Sequence, residues 1–186
     1  IVLKHIIPSS VPDMLITLYL DIDIEGHCII KNNYTSDPLC KLALDIELHA
    51  NDSGGNYYFC CFHLDRHIGD QNSEISHPRY HFQFGGNKVK DRMKEHALNF
   101  GSSLFIEPPR IAYAPLGLVL SIDFVLSNFY PTKRKKLIKM PEYTNLVRHY
   151  QEHLWRPYLN ALAVKWSKGN INSDWQSCDV WPQLID

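Results

Sequence analysis

The sequence lacks the features of a membrane, secreted or strongly charged protein. Its 19 Lys and Arg residues against 20 Asp and Glu residues leave a formal net charge of -1, so overall charge predicts affinity for neither nucleic acids nor membranes. No apolar run reaches the roughly 18 to 20 residues of a membrane span, and no signal-peptide pattern opens the chain. We therefore expect a cytoplasmic protein without membrane contact. The chain opens at Ile1 rather than Met, which leaves open whether a segment precedes it.

Cysteine pairs and known catalytic motifs are also missing. The five cysteines include no C-x-x-C pair, which fits neither a disulfide framework nor a zinc knuckle. Cys40, Cys60 and Cys61 lie in strand-like runs, where a free cysteine acts as a small hydrophobe. We therefore predict reduced thiols, with a reactive thiol as the less favoured alternative. H-E-x-x-H, G-x-x-x-x-G-K-[ST], G-x-G-x-x-G and G-x-S-x-G are absent, so the sequence supports no cofactor and none of the corresponding enzyme classes.

The remaining features are those of an ordinary folded domain. The 186 residues are 45% hydrophobic and 21% charged, which is typical of a globular protein with a real core. We expect one domain over 1–186, mainly β over 14–113 and mainly helical over 115–167, with a packed tail over 168–186. Trp175 and Trp181 are the reason for expecting that the tail packs down.

Alternating hydrophobicity predicts an antiparallel sheet in the first part of the chain. Four strands share one parity, so that Ile16, Leu44, Phe62 and Phe82 face the same way. The turn residues of 51–56 predict a hairpin. The predicted strands cover 14–24, 40–49, 57–65 and 79–84, with a broken edge strand at 104–107 and 111–113.

Helical spacing of apolar residues dominates after Pro115. The patterns predict a nearly buried helix over 116–129, a basic connector over 133–139 and a helix after Pro141. Pro157 should break that helix near Trp155, and a short helix is expected over 88–100. The chain is thus predicted to be α+β, with a sheet of four to five strands and C-terminal helices on one face.

The other sheet face is predicted to be polar. Antiparallel sheets commonly leave one face in water, so a solvated or partner-covered face is the favoured interpretation and an active site is the alternative. The side chains of this face are Tyr19, Asp21, Asp23, Asp45, Glu47, His49, His63, Asp65, Arg79, His81 and Gln83.

Residues 76–86 are the most distinctive segment for chemistry. His77 or His81 could act as a general acid or base, with Arg79 stabilising an anion such as phosphate. Tyr80 and His63 complete this candidate catalytic set. The alternative is a structural strand whose His and Arg side chains contact carboxylates.

A metal site is not predicted. His77 and His81 are separated by about 13 Å of strand, so they could share one metal only if Pro78 bends the chain. Asp21 and Asp23 share a face about 6.6 Å apart. They could act with His49, His63 or His81, but no established ligand motif supports such a site.

Two further segments suggest binding surfaces. Lys133, Arg134, Lys135 and Lys136 could contact nucleic-acid phosphates, although a solvated loop is the more common role of such a run. Trp155, Arg156 and Tyr158 suit a protein interface, where these residue types are enriched. The alternative is that Trp155 and Tyr158 are core residues.

Four blocks carry a resemblance to a known group of sequences. They are His77-Pro-Arg-Tyr-His-Phe-Gln-Phe-Gly-Gly86, Glu107-Pro-Pro-Arg-Ile111, Ser121-Ile-Asp-Phe-Val-Leu-Ser-Asn-Phe129 and Trp155-Arg-Pro-Tyr-Leu-Asn-Ala-Leu-Ala163. Over residues 77–166 the chain resembles an uncharacterised bacterial protein family. The resemblance implies a role in accessory gene clusters, including antiphage defence, and implies no catalytic residue.

These observations give two functional hypotheses. The first is a non-enzymatic module that binds another protein through the polar sheet face or the region of Trp155, Arg156 and Tyr158. The second is a small nuclease or phosphoesterase that uses His77, Arg79, Tyr80, His81 and His63. The missing motifs and the near-neutral charge favour the first.

Overall fold

The fold is α+β, as the sequence predicts, and its sheet is a simple antiparallel meander. The computed structural model describes residues 1–6, 15–27, 34–67, 77–97, 108–169 and 171–184. Within them six strands pair in sequence order. The strands are β1 (Val2–Ile6), β2 (Leu15–Gly26), β3 (Leu39–Asn51), β4 (Tyr57–Arg66), β5 (Tyr80–Phe84) and β6 (Ile111–Ala112).

The helices follow the sheet, apart from one that lies between β5 and β6. They are α1 (Asn87–Glu95), α2 (Leu118–Phe129), α3 (Pro131–Leu137), α4 (Pro141–Tyr150), a π-helical turn (Gln151–Trp155), α5 (Arg156–Ala163), a 3-10 turn (Val164–Trp166) and α6 (Ser177–Val180). None of the helices in these parts of the chain is long and apolar enough to cross a membrane.

The predicted parity of the strands is confirmed by the register. Leu44 lies opposite Ile22 on one side and Leu64 on the other, so even-numbered side chains form one apolar face. Ile16 and Leu44 are buried in the core, whereas Phe62 and Phe82 are partly buried against it. The helical part of the chain covers this face. The contacting side chains are Leu120, Val125, Val147, Leu154, Tyr158, Ala161 and Val180 on the helices, and Trp175 in the segment before α6.

Two turns that the sequence predicts are present with their expected geometry. Asp52 accepts hydrogen bonds from the backbone amides of Gly54 and Asn56, both at 2.9 Å, and so closes the β3–β4 hairpin. Gly85 and Gly86 follow β5 with φ values of 71° and 74°. Such positive φ values favour glycine, which explains why two glycines end the strand.

Several predicted elements differ from the structure. β1 is an additional strand, because its five residues are too few for the alternation to stand out. The basic stretch over 133–139 is largely helix α3, since Arg134 is tied to Asp123 on α2 at 2.7 Å. Helix α2 begins at Leu118, which is 50% exposed, so this helix is less buried than predicted. The predicted strand at 104–107 lies outside the described residues.

The break expected at Pro157 is a π-helical turn. Proline lacks a backbone N–H, so an α-helix would lose one hydrogen bond at this position. The backbone N–H of Arg156 donates instead to the carbonyl of Gln151, five residues earlier. The turn keeps the helix continuous and places Pro157 in the first turn of α5, where proline is tolerated.

Candidate functional site

The polar face of the sheet carries the densest group of titratable side chains. Odd-numbered residues share this face, and the register places Asp65 directly opposite His81 and His63 opposite Gln83. His67 follows β4 and His77 precedes β5. We call His63, Asp65, His67, His77 and His81 the histidine cluster.

Ring contacts link three of the imidazoles into a chain. The rings of His67 and His77 stack with centroids 4.3 Å apart, and those of His77 and His81 lie edge to face at 5.6 Å. His67 and His77 are partly exposed, whereas His81 is only 4% exposed. The cluster therefore has an accessible rim and a buried end.

Hydrogen bonds fix the orientation of His63. Its Nε2 contacts the side-chain oxygen of Gln83 and lies 3.4 Å from the carboxylate of Asp65. Both neighbours are acceptors, so Nε2 carries the proton. The Nδ1 atom of His63 is buried and has no hydrogen-bond partner. In the neutral tautomer this nitrogen offers an unused lone pair.

The buried end of the cluster holds a neutral imidazole. Burial lowers the pKa of His81 to about 4. The hydrogen bond between its Nδ1 and the carbonyl of Pro78, 3.3 Å long, acts in the opposite direction. The charges of His77 and Arg110 add to the lowering. His81 is therefore uncharged at neutral pH and is too buried to touch a substrate.

Asp65 is perturbed in the direction typical of a buried carboxyl group. Burial raises its pKa above the ordinary value, and the neighbouring charge of His63 works against that rise. The cluster thus combines a carboxyl group that resists ionisation with an imidazole that resists protonation. Such opposed shifts are common at functional sites, although structural networks also produce them.

Arg79 and Tyr80, two predicted catalytic residues, lie away from this cluster. β5 begins at Tyr80, and the Arg79 guanidinium reaches Asp37 and Asp179, both at 3.4 Å, and lies over the ring of Trp175. The hydroxyl of Tyr80 donates to Asp37 at 2.5 Å. Of the five predicted catalytic residues, the structure brings together His63, His77 and His81.

Arg110 is a site residue that the sequence reasoning missed. It is close enough to His81 for its charge to affect that imidazole. It lies two residues after Pro108, whose carbonyl accepts a 3.2 Å hydrogen bond from Gln83. Its sequence position could have revealed it, because Arg110 lies directly before the predicted edge strand. That strand, β6, pairs with β5, and the pairing places Arg110 beside the fourth predicted strand.

Part of the polar face is covered by the chain itself, whereas the sequence predicted that solvent or a partner covers it. Helix α1 lies over it, with Lys88 bound to Asp45 and Arg92 bound to Glu47 at 3.3 Å. Cys61 on this face is 1% exposed. The chain itself therefore covers part of the face, because basic side chains of α1 complement the strand carboxylates.

The hypothetical metal ligands do not converge. Asp23 forms a salt bridge with Lys41 at 2.7 Å, and His49 is bonded to Glu47 and Tyr57. Across the described parts of the chain, no group of three or more His, Cys, Asp or Glu side chains is arranged to hold a metal ion.

The Trp155 region divides into buried and accessible residues. Tyr158 is 5% exposed and packs near Tyr80 and Trp175, so it belongs to the core, as the alternative interpretation held. Trp155 is partly exposed and donates its indole N–H to the Pro115 carbonyl at 3.0 Å.

A groove beside Trp155 remains open on the helical surface. Its volume is about 480 Å³ and it is lined by Arg148, Gln151, Glu152, Trp155, Arg156, Leu159 and Asn160. Arg156 is bound to Glu152 and lies over the ring of Tyr34 at 4.2 Å. We call this feature the Trp155 groove.

In the basic segment of Lys133, Arg134, Lys135 and Lys136, one residue has a structural role. Arg134 donates two hydrogen bonds to Asp123, at 2.7 and 3.0 Å, so its charge is already used within the fold. Lys133 lies over the ring of Tyr130 at 4.8 Å, and Lys135 and Lys136 are exposed. Only the lysines of this run present their charge to an outside partner.

Comparisons with protein-family models, with curated proteins and with solved structures find no match to this chain. The resemblance to a bacterial family therefore stays a prediction.

Proposed function

We propose that this protein is a binding module that docks a segment of another protein in the Trp155 groove. The observation that carries the proposal is an accessible apolar and cationic surface on the π-helical turn and α5. Leu159 is 55% exposed beside Trp155. The groove has the residue composition of interface hot spots, where Trp and Arg are enriched.

The charges of the groove indicate the chemistry of the partner. Arg156 is paired with Glu152, whereas Arg148 is exposed and forms no ion pair with any described residue. The groove therefore has an excess of positive charge. An acidic peptide segment that also carries an apolar side chain complements both Arg148 and Leu159.

A peptide-display selection on the purified protein tests this proposal. We expect enriched peptides that combine an acidic residue with an apolar one, and we expect Arg148→Glu and Leu159→Ser each to weaken their binding by about tenfold or more. Leu118→Ser is the matched control, because Leu118 is equally exposed but lies on α2. Absence of enrichment, or peptides that bind all three variants equally, would contradict the proposal.

The thiols favour a reducing compartment for this function. Cys40, Cys60, Cys61 and Cys178 are free, and free thiols are typical of cytoplasmic proteins. We therefore place the binding module in the bacterial cytoplasm, in agreement with the family resemblance and with a role in an accessory or defence system. The exposed Lys135 and Lys136 add nucleic acid as a further candidate partner.

A second candidate function is phosphodiester hydrolysis at the histidine cluster. The specific observation in its favour is that His63 and His81 share one face of the sheet, with the ring of His77 against His81 and with Arg110 nearby. In this hypothesis the partly exposed His77 is the acid–base group, and Arg110 takes the anion-stabilising role that the sequence had suggested for Arg79. His81 would orient His77 without touching the substrate.

An assay of RNA, DNA and a generic phosphodiester, with and without divalent metal ions, separates the two functions. The enzyme hypothesis expects turnover that His77→Ala and Arg110→Ala abolish. His96→Ala is the control, because His96 is an exposed histidine that stacks on Tyr57 outside the cluster. Turnover that survives both substitutions would exclude the histidine cluster, and peptide binding without turnover would favour the binding module.

A further inference from the structure

A thiol and an imidazole meet at the end of the β2–β3 pair. The side-chain Nε2 of His27 lies 3.0 Å from Sγ of Cys40. His27 is exposed and Cys40 is partly exposed. Reactive cysteines occupy this kind of position, partly accessible and next to a basic group, whereas inert structural cysteines are buried.

The backbone before His27 lies unusually close to the strand that carries Cys40. A Cβ atom on Gly26 would lie 2.9 Å from the carbonyl oxygen of Pro38, so glycine allows the two chains to come close. The backbone N–H of His27 then donates to the same carbonyl at 3.0 Å. The imidazole is therefore carried by a fixed backbone.

The backbone on the Cys40 side is anchored as well. Arg66 donates a hydrogen bond to the carbonyl of Cys40 at 2.9 Å, and the backbone N–H of Leu39 donates to Asp37 at 3.2 Å. Asp37 and Arg66 are themselves joined by an ion pair of 3.0 Å. The thiol is thus held by the sheet rather than by a free loop.

A cleft of about 600 Å³ opens beside His27. It is lined by Ile24, Gly26, His27, Pro38, Leu39, His149, Tyr150, His153 and Leu154. The rings of His149 and His153 lie 4.1 Å apart on the opposite, helical wall, and His153 donates its Nδ1 proton to the His149 carbonyl at 2.7 Å. The volume is in the range of small-molecule sites.

We propose that Cys40 and His27 form a nucleophilic thiol site that exchanges with small disulfides at the edge of this cleft, where His27 lines the cleft and contacts the thiol. His27 accepts the proton of the Cys40 thiol, and the resulting thiolate attacks one sulfur of the disulfide. The Cys40–sulfur bond forms as the sulfur–sulfur bond of the substrate breaks. The leaving thiolate takes the electron pair of the broken bond and receives the proton from His27, so the products are a mixed disulfide and a free thiol.

Cys178 supplies a matched internal control for the test. It is also partly exposed, but its thiol contacts the amide oxygen of Gln176 instead of an imidazole. The first measurement treats the purified protein with iodoacetamide from pH 6 to pH 9 and follows each cysteine by peptide mass spectrometry. We expect Cys40 to react about tenfold faster than Cys178 at pH 6.5, because only Cys40 has an imidazole within hydrogen-bond distance of its thiol.

The second measurement tests the role of His27 and the disulfide chemistry. His27→Gln should lower the Cys40 rate about tenfold at pH 6.5 and leave Cys178 unchanged. An unchanged urea unfolding midpoint would show that the variant is folded. With glutathione disulfide as the probe, the mixed disulfide should appear on Cys40 in the wild type and be lost in Cys40→Ser.

Three outcomes would overturn the proposal. They are equal rates at Cys40 and Cys178, a Cys40 rate that His27→Gln leaves unchanged, and a glutathione adduct on Cys28, which follows His27 in the sequence, instead of Cys40.

Discussion

The hydroxyl of Tyr80 donates a 2.5 Å hydrogen bond to Asp37, and the same carboxylate binds the guanidinium groups of Arg66 and Arg79. Burial raises the pKa of Tyr80 far above its ordinary value, and the charge of Asp37 adds to this effect. The phenol therefore remains a hydrogen-bond donor. The cluster that Asp37 forms with Arg66, Arg79 and Tyr80 joins the loop before β3 to β4 and β5.

Asp37→Asn should strongly destabilise the protein. The side chains of Asp37 and Arg66 are only 9% and 7% exposed, so the substitution leaves buried cationic charge without a counter-ion. We expect a loss of about 3 to 5 kcal/mol in the free energy of unfolding, measured by urea denaturation. Asp179→Asn is the control: Asp179 is 51% exposed, and its loss should cost less than about 1 kcal/mol. Equal effects would contradict this role of Asp37.

His81→Gln should change how stability depends on pH. The pKa of His81 is about 4 in the folded protein against roughly 6.5 in an unfolded chain. The unfolded state therefore binds more protons below pH 6.5, and stability is lost as the pH falls from there through the folded pKa. We expect the wild type to lose about 3 kcal/mol over this interval relative to His81→Gln.

Urea unfolding of both proteins from pH 7 to pH 4 measures this difference. His96→Gln serves as the control, because His96 is exposed and its substitution should leave the wild-type profile unchanged. Parallel profiles for wild type and His81→Gln would show that His81 is not buried as a neutral imidazole.

Asp123→Asn should destabilise the protein at neutral pH and have much less effect on its stability in acid. Burial by itself would raise the pKa of Asp123, but hydrogen bonds from Arg134 and Tyr143 outweigh it and lower the pKa below its ordinary value. The stabilisation from the ionised group is therefore present above the unfolded pKa of about 3.9 and is lost as the pH falls through the folded value. We expect a cost of about 2 kcal/mol at pH 7 and much less at pH 2, measured by thermal or urea unfolding. A cost that stays constant with pH would contradict the ion pair.

Gly86→Ala should destabilise the protein more than Gly55→Ala. Both glycines have positive φ, but a Cβ on Gly86 would lie 3.0 Å from the ring of Pro108, whereas one on Gly55 would meet nothing within 4 Å. Gly86 also has ψ of −149°, a region that other residues avoid at a cost of about 1 to 3 kcal/mol. We expect Gly86→Ala to cost about 3 kcal/mol and Gly55→Ala about 1 to 2 kcal/mol. Urea midpoints of the two variants make the comparison.

The sheet was predictable because its signal is local. Alternation along each strand determines which face a side chain occupies, so the shared face of His63 and His81 follows from parity and antiparallel pairing. Parity ceases to apply outside a strand. Arg79 lies one residue before β5. Its guanidinium binds Asp37 and lies over the core residue Trp175, so the side chain is not on the polar face that parity predicts.

The residues that were missed depend on distant contacts. Asp37 is 42 residues away from Arg79, and no local pattern relates them. The pairing of His27 with Cys40 depends on the close contact between Gly26 and Pro38. The helix α3 was missed because its basic residues show no apolar stripe, and its tie to Asp123 is visible only in three dimensions.

The π-helical turn accommodates one extra residue within a continuous helix. A π turn contains one residue more than the α-helical turn it replaces. Deleting one residue of Gln151–Trp155 would therefore leave an α-helical turn, and Tyr158 and Ala161 would keep their places in the core. Deleting two residues would rotate the following helix by about 100° and turn the exposed Leu159 towards the core. Homologues should therefore tolerate the loss of one residue from this segment but not the loss of two.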